Sequence, residues 1–406
     1  MDDEKPPIEE PLVADGAAPA APSAGRLTAE ELAEAKRYGR IDLVCRLADK
    51  ALDLVYLAVA AFWLAEPIDR FLAGWSLLMR FDSLRLLGLL AALTLLHVAV
   101  SFPLSFYAGH VVERRFALST LRFAGWLWRY VKRNVLAFAL SAALAIGLFW
   151  LIRAVGPGWY LAAAAAMFVI NVILGQWAPV VILPLFYKVR RLDDPELARC
   201  IGRLAEGTGL RIEGVYRIDL SAETVKANAM LAGLGRTRRV LLGDTLLNGF
   251  SAGEIAVVFA HEIGHHVFRH VPKLIVFGAV YAMGGFWLCD WLLAARLSGG
   301  VGPVDYAELP TTVIPFLVFI LALFATCVEP IQNFLSRVYE RQSDRYALRR
   351  TGDPAAFISA FEKLARLNKE DPDPHWLEVA LLHSHPPIAE RIALARRAAA
   401  RAARAT

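Results

Sequence analysis

Cysteine is scarce: Cys45, Cys200, Cys289 and Cys327 are the only four in 406 residues, and no two share a CxxC spacing. Neither a disulfide framework nor a thiolate metal site is therefore expected. Charge is also thin, at 20% of residues, and the amino-terminal stretch MDDEKPPIEEPLVADGAAPAAPSAG lacks the basic and apolar regions of a secretion signal. Its Pro, Ala and acid content is that expected of a disordered tail over 1–27. There is no zinc knuckle, no basic run interleaved with aromatics outside the apolar flanks, and no internal repeat, so the formal net charge of +5 gives no reason to expect a nucleic-acid partner.

Apolar residues, by contrast, make up 57% of the chain, and the mean hydropathy is +0.44. That is too apolar for an ordinary soluble protein. Six stretches, 52–67, 84–107, 135–155, 159–186, 274–297 and 312–334, approach the ~20 residues a helix needs to cross a bilayer. The expected fold is a multi-spanning α-helical membrane protein. Four spans lie within 28–186, a polar block covers 187–272, two spans fall in 273–335, and a second polar block covers 336–406.

Basic residues set the orientation. The second and third spans are joined through Arg114, Arg115, Arg122, Arg129, Lys132 and Arg133, whereas the loop between the fifth and sixth has Asp305 and Glu308 and only Arg296 at its edge. Positive charge favours the cytoplasmic side, which places both tails and both polar blocks there, with the lipid bilayer as partner. Two spans separate the polar blocks, so they share a side in either orientation.

Within the first polar block the pattern predicts a helix at 195–207 and strands at 215–220 and 239–242. Ser251 opens SAGE, a capping-box sequence with Glu254 at the third helical position, and a helix over 252–269 should follow. The Ala/Arg-rich tail from 388 reads as a helix with a solvated basic face.

The capped helix carries HEIGHH. His261 and His265, four apart, lie within about 40° of each other on one face, so both imidazoles reach one ion. Zinc accepts imidazole and carboxylate ligands in a tetrahedron, and three protein ligands leave a position for water. Glu262, about 100° round the helix from His261, is placed to act as general base on that water. HExxH arises by chance in roughly one chain in a hundred of this composition, and the cap adds weight. His266 points away and reads as a surface or supporting residue, and His270, between Arg269 and Lys273, as an interfacial one. A third ligand must come from elsewhere. In SRVYERQSD, Glu340 and Asp344 are four apart, so one could bind metal while the other holds a ligating His. Spacing alone equally allows an ordinary charged helix exit, with Arg337, Arg341 and Arg345 making surface pairs.

The sequence resembles the integral-membrane CaaX-type endopeptidases, gluzincin metallopeptidases whose zinc core is similar to that of the heat-shock membrane peptidases. The resemblance runs over about 35–395 and is carried by SFPLSFYAGHVVERRF, NAMLAGLGRTRRVLLGDTLL, HEIGHH, SRVYERQSD and HSHPPIAERI, in order and spacing. It implies a mostly helical gluzincin domain with a small edge-strand sheet at the cytoplasmic face, one Zn2+ per chain, Glu340 as third ligand, and Asp344 as a carboxylate behind a ligand. It further implies an edge strand over 228–234, starting at Asn228 and Ala229, that binds a peptide substrate as an added strand. His385 and Arg391 match family positions that stabilise the oxyanion or hold a terminal carboxylate; from sequence alone His385 is a turn residue before two prolines. Ser343 stands where the family usually has Ala, and the additional amino-terminal span of eukaryotic members is not seen. His97, Asn171, Gln176 and Asp290, polar within spans, would suit either a water-filled interior or helix-to-helix hydrogen bonds.

The activity implied is peptide hydrolysis at a membrane, on a lipidated CaaX-like carboxy terminus or on damaged membrane proteins in quality control. A non-catalytic scaffold or transporter is the alternative of another class. Ala/Leu/Arg-rich composition points to a bacterial inner membrane.

Overall fold

The computed structural model describes residues 27–177, 181–233, 238–298 and 304–405. They divide into two compact units, one made of Arg40–Gly175 with Lys273–Glu329, the other of Met1–Gly39, Gln176–Pro272 and Pro330–Thr406. Six helices among the described residues are long and apolar enough to cross a membrane: Ala29–Ala73, Asp82–Arg115, Phe123–Val155, Trp159–Trp177, His270–Leu297 and Val313–Thr351. The expected number holds, but most helices run past the apolar stretches: the first begins at Ala29, the second ends at Arg115 and the third begins at Phe123, while the fourth stops at Trp177. The first span, expected to stop at Pro67, continues to Ala73 because a π-helical turn at Ala60–Leu64 precedes the proline. The widened turn relieves the clash that a proline ring makes with the preceding turn of an α-helix. The sixth continues unbroken to Thr351. Polarity rises after Phe334, but polarity alone breaks no helix, and neither Gly nor Pro intervenes before that end.

In the first-named unit Trp159, Phe149, Leu86, Phe286 and Leu317 form the main apolar core. Asp290 accepts hydrogen bonds from Trp159 Nε1 at 2.7 Å and Tyr306 Oη at 2.8 Å, so helix-to-helix and helix-to-loop bonding accounts for it. His97 pairs with Asp53 at 2.8 Å. Both line a cavity of about 250 Å³ with Tyr56, Thr94, Leu90 and Phe138. Asn171 and Gln176 are exposed.

The other unit holds the sheet, with strands β1 (Val189–Arg191), β2 (Ile212–Ile218), β3 (Ala229–Ala232) and β4 (Arg238–Gly243) in the order β1-β2-β4-β3. β2 and β4 are parallel, whereas β1 and β3 run antiparallel to their neighbours. β3 is therefore an edge, as expected; position 234 of the expected strand lies outside the described residues. β1 has too few residues for a period-2 signal and is not legible in sequence.

Helix Pro195–Ala205 is capped by Asp194, whose carboxylate accepts from Glu196 N and Leu197 N. The capping box forms as its sequence dictates: Ser251 Oγ accepts from Glu254 N at 3.3 Å and Glu254 Oε2 from Ser251 N at 2.7 Å. The helix they open, Ala252–Val267, is apolar on two faces. Ile255, Phe259 and Ile263 pack in the core under the sheet, while Val257 and Ala260 meet Ala347, Phe357 and Phe361. It ends two residues earlier than expected: Arg269 takes a left-handed φ of 53° and a new helix begins at His270.

Gly264 fixes how closely this helix meets the Val313–Thr351 helix. A Cβ on Gly264 would fall 2.8 Å from Ser343 Cα, a separation no real pair tolerates. Ser343 is itself fully buried, and its hydroxyl has no hydrogen-bond partner among the described residues. Gly264→Ala should thus force the helices apart and cost about 1–3 kcal/mol. Ser343→Ala removes an unsatisfied polar group and should leave stability unchanged or raise it by about 1 kcal/mol. Thermal unfolding of both variants in detergent checks the pair; a less stable Ser343→Ala protein would show that the hydroxyl is satisfied.

Candidate metal centre

The close approach at Gly264 sets His261 and His265 against Glu340, one turn before Asp344 on the facing helix. His261 Nε2 lies 3.1 Å from His265 Nε2. Glu340 offers Oε2 at 3.2 Å from His261 Nε2 and Oε1 at 3.2 Å from His265 Nε2. Ligands arranged tetrahedrally about zinc at its usual bond lengths are about 3.3 Å apart, so the three donors already have the spacing the ion requires.

Hydrogen bonding strengthens the case. His261 Nδ1 contacts Asp344 Oδ1 at 2.9 Å. A carboxylate only accepts, so Nδ1 carries the proton and Nε2 presents a lone pair. Among the described residues Glu340 Oε2 is buried without a hydrogen-bond partner, its nearest cation being Arg391 Nη2 at 3.7 Å. Nε2 of His261 and both oxygens of Glu340 face one point, an arrangement a cation satisfies. Burial disfavours a charged His261, yet the carboxylates of Asp344 and Glu340 beside it outweigh that and raise its pKa to about 9, so a metal ion at Nε2 takes the place of a proton that the same acceptors would attract. The surroundings thus favour positive charge at this point. Zinc, which takes this mixed nitrogen and oxygen donor set, fits.

Around the donors, the expected residues divide. Glu262, beside His261, is half-buried, and its carboxylate makes no hydrogen bond among the described residues. Asp344 is buried behind His261. His385 is exposed in the loop after helix Trp376–Leu382, with its Nε2 3.6 Å from Glu340 Oε1 and its Nδ1 2.9 Å from Ser384 Oγ. Arg337 fixes that loop by donating to the carbonyls of Val379 at 2.7 Å and His383 at 2.5 Å. Asn228 is exposed just before β3, and its carbonyl accepts from Gly243 N at 2.9 Å. Ala229 begins β3 and pairs with Leu242.

Arg391 has a different neighbourhood from the one expected of a substrate-carboxylate ligand. Its guanidinium is buried, its Nε donates to Asp344 Oδ2 at 2.8 Å and its Nη2 to Oδ1, and it sits 3.9 Å from the Phe361 ring centroid. A guanidinium committed to both carboxylate oxygens orients Asp344. His266 is half-buried and bonded to Arg238 of β4. His270 departs furthest from expectation: buried rather than interfacial, it places Nδ1 3.1 Å from His265 Nδ1. Nothing in the sequence marks it, because a continuous helix would turn position i+5 about 140° away from position i. A break at Arg269, with no glycine to announce it, brings the ring back.

Similarity to known proteins matches this geometry. The model of peptidase family M48 matches residues 191–399, and that described as the CAAX prenyl protease N-terminal region, five membrane helices, matches 12–188; four of the six candidate spans among the described residues begin and end within the latter range. An uncharacterized metalloprotease of Bacillus subtilis, YhfN, is 27% identical over 89% of this chain and 84% of its own length. CAAX prenyl protease 1 of Saccharomyces cerevisiae is 30% identical over 77% and 71% respectively. The crystal structure of Ste24p from S. mikatae superposes with a TM-score of 0.78 at 26% identity, covering 90% of this chain and 88% of that one. This chain belongs to peptidase family M48 and is a membrane-spanning metalloendopeptidase of the CAAX prenyl protease type.

Proposed function

We propose that the protein binds one zinc ion through His261, His265 and Glu340 and hydrolyses membrane-associated peptides, among them CaaX-like carboxy termini, laid as an added strand along β3. The observation that carries this reading is the convergence at 3.1–3.2 Å of donors from His261 and Glu340, both buried, and His265, half-buried, with His261 Nδ1 bonded to Asp344 so that Nε2 faces inward. Zinc bound there would supply a Lewis acid that polarises the scissile carbonyl and acidifies water. Glu262 takes the proton from the attacking water and returns it to the departing amide nitrogen as the C–N bond breaks. His385 Nε2, beside Glu340, donates to the oxygen on which negative charge develops. Asp344 holds His261 in the tautomer that leaves Nε2 free, and Arg391 holds Asp344. Backbone groups of Asn228 and β3 align the peptide.

In cells the site faces the cytoplasm of a bacterium from its inner membrane. The Lys/Arg-rich link between the second and third spans supports that orientation. The broader reading, quality control of membrane proteins, differs only in substrate and shares the site.

Three measurements test these statements. Glu340→Ala should lose zinc from the purified protein, whereas Glu262→Gln should keep one zinc per chain and lose turnover by about 10²–10⁴-fold or more. Full zinc content in the first variant, or retained turnover in the second, contradicts the assignment. For orientation, cysteines introduced at the exposed positions Asn248 and Ala355, in a background free of native cysteine, should both resist an impermeant reagent in intact cells. Labelling of either from outside overturns the cytoplasmic placement. For substrate, matched peptides carrying a prenyl group or another membrane anchor should be cleaved at the same bond. Proline at the flanking positions that donate N–H to β3 should block both. Cleavage of the prenylated peptide alone would show that the lipid is read specifically and that strand addition is not the basis of recognition.

A further inference from the structure

The two histidine donors are supported from behind in different ways. His261 is backed by the Asp344 carboxylate, itself held by Arg391. His265 is backed by no carboxylate. Its Nδ1 lies 3.1 Å from His270 Nδ1, and His270 Nε2 lies 2.9 Å from Gln342 Oε1. The His270 ring is buried, stacked on Tyr339 with ring centroids 4.4 Å apart and planes 14° from parallel.

Proton accounting gives this chain a direction. Gln342 can be oriented in two ways. With its oxygen toward the ring, His270 Nε2 carries the hydrogen, His270 Nδ1 presents a lone pair, and His265 Nδ1 donates to it. His265 Nε2 is then left with a lone pair facing His261 and Glu340. With the amide nitrogen toward the ring, every proton shifts the other way. His270 Nδ1 would donate to His265 Nδ1, and His265 Nε2 would carry a hydrogen into the space between the donors. Only the first arrangement lets His265 bind metal. We propose that His270, with its tautomer set by Gln342, is a positioning residue that fixes the orientation and tautomer of His265. The proposal rests on the zinc reading above. It requires no change of charge, and the left-handed residue Arg269 is what makes it geometrically possible.

The identity of the acceptor atom separates this role from simple packing. In His270→Asn the side-chain oxygen falls close to the position of Nδ1 and still accepts from His265. In His270→Gln the functional end reaches the position of Nε2 instead, and His270→Ala leaves nothing. Zinc affinity of the purified full-length protein, measured by chelator competition, should stay within about 3-fold of the parent for Asn and fall about 10–100-fold for Gln and Ala. At saturating zinc, kcat for a membrane-anchored peptide should fall in Gln and Ala with little change in KM, since the strand edge and not His265 aligns the peptide. The metal-free Asn and Gln proteins should unfold at similar temperatures. Equal affinity in all three variants, or equal losses in Asn and Gln together with a less stable metal-free state, would overturn the positioning role while leaving the zinc site intact. A parent protein that binds no zinc removes the metal reading and the proposal with it.

Discussion

Mutual repulsion among buried acceptors is the constraint around which the polar unit is organised. Lone pairs of His261 and Glu340, with His265 set beside them, meet where the two helices come closest, and water is largely kept away from them. Such a cluster is costly in a low dielectric unless positive charge occupies its centre. Each nearby feature lowers that cost or directs it. Arg391 neutralises Asp344, the tautomers point lone pairs inward, and Gly264 lets the backbones approach far enough for one ion to bridge them. The same closeness explains why a small residue must face Gly264, and why the Ser343 hydroxyl has nowhere to bond.

Much of this was legible in the residues themselves. Ser251 and Glu254 announce a helix start through reciprocal bonds that need only local sequence. HExxH uses the helical repeat, which spacing exposes directly, whereas the Glu340–Asp344 spacing alone leaves an ordinary charged helix exit equally open and only the family resemblance singles Glu340 out. Other elements depend on more than hydropathy. The π turn ahead of Pro67 and the uninterrupted helix through Phe334 answer to where proline and glycine fall, which hydropathy does not record. His270 is the instructive miss. Its place beside His265 follows from one residue, Arg269, in a conformation that an arginine gives no reason to expect. Arg391 shows the opposite case: the family resemblance marks it as a site residue, but only the buried pairing with Asp344 shows which group it touches.

Polar residues in the apolar unit carry a related lesson. Composition alone cannot say whether a polar side chain within a span serves a wet interior or a helix contact. Asp290 is accounted for by Trp159 and Tyr306. His97, beside a cavity and paired with Asp53, keeps a polar group next to open space. The two outcomes come from the same energetic rule, that a polar group in a membrane must find a partner or water.

β3 is only four residues long. About half of its backbone groups turn toward β4, which leaves a short row of donors and acceptors on its other side, each worth about 0.5–1.5 kcal/mol net. Such a row can align a chain but cannot grip it. If a substrate lies there as proposed, cleavage divides even that small hold between two fragments, each bound more weakly than the whole, so such a surface would release its products readily. A longer edge would bind substrates more tightly and surrender their pieces more slowly, and it would also invite pairing with the edge of another molecule.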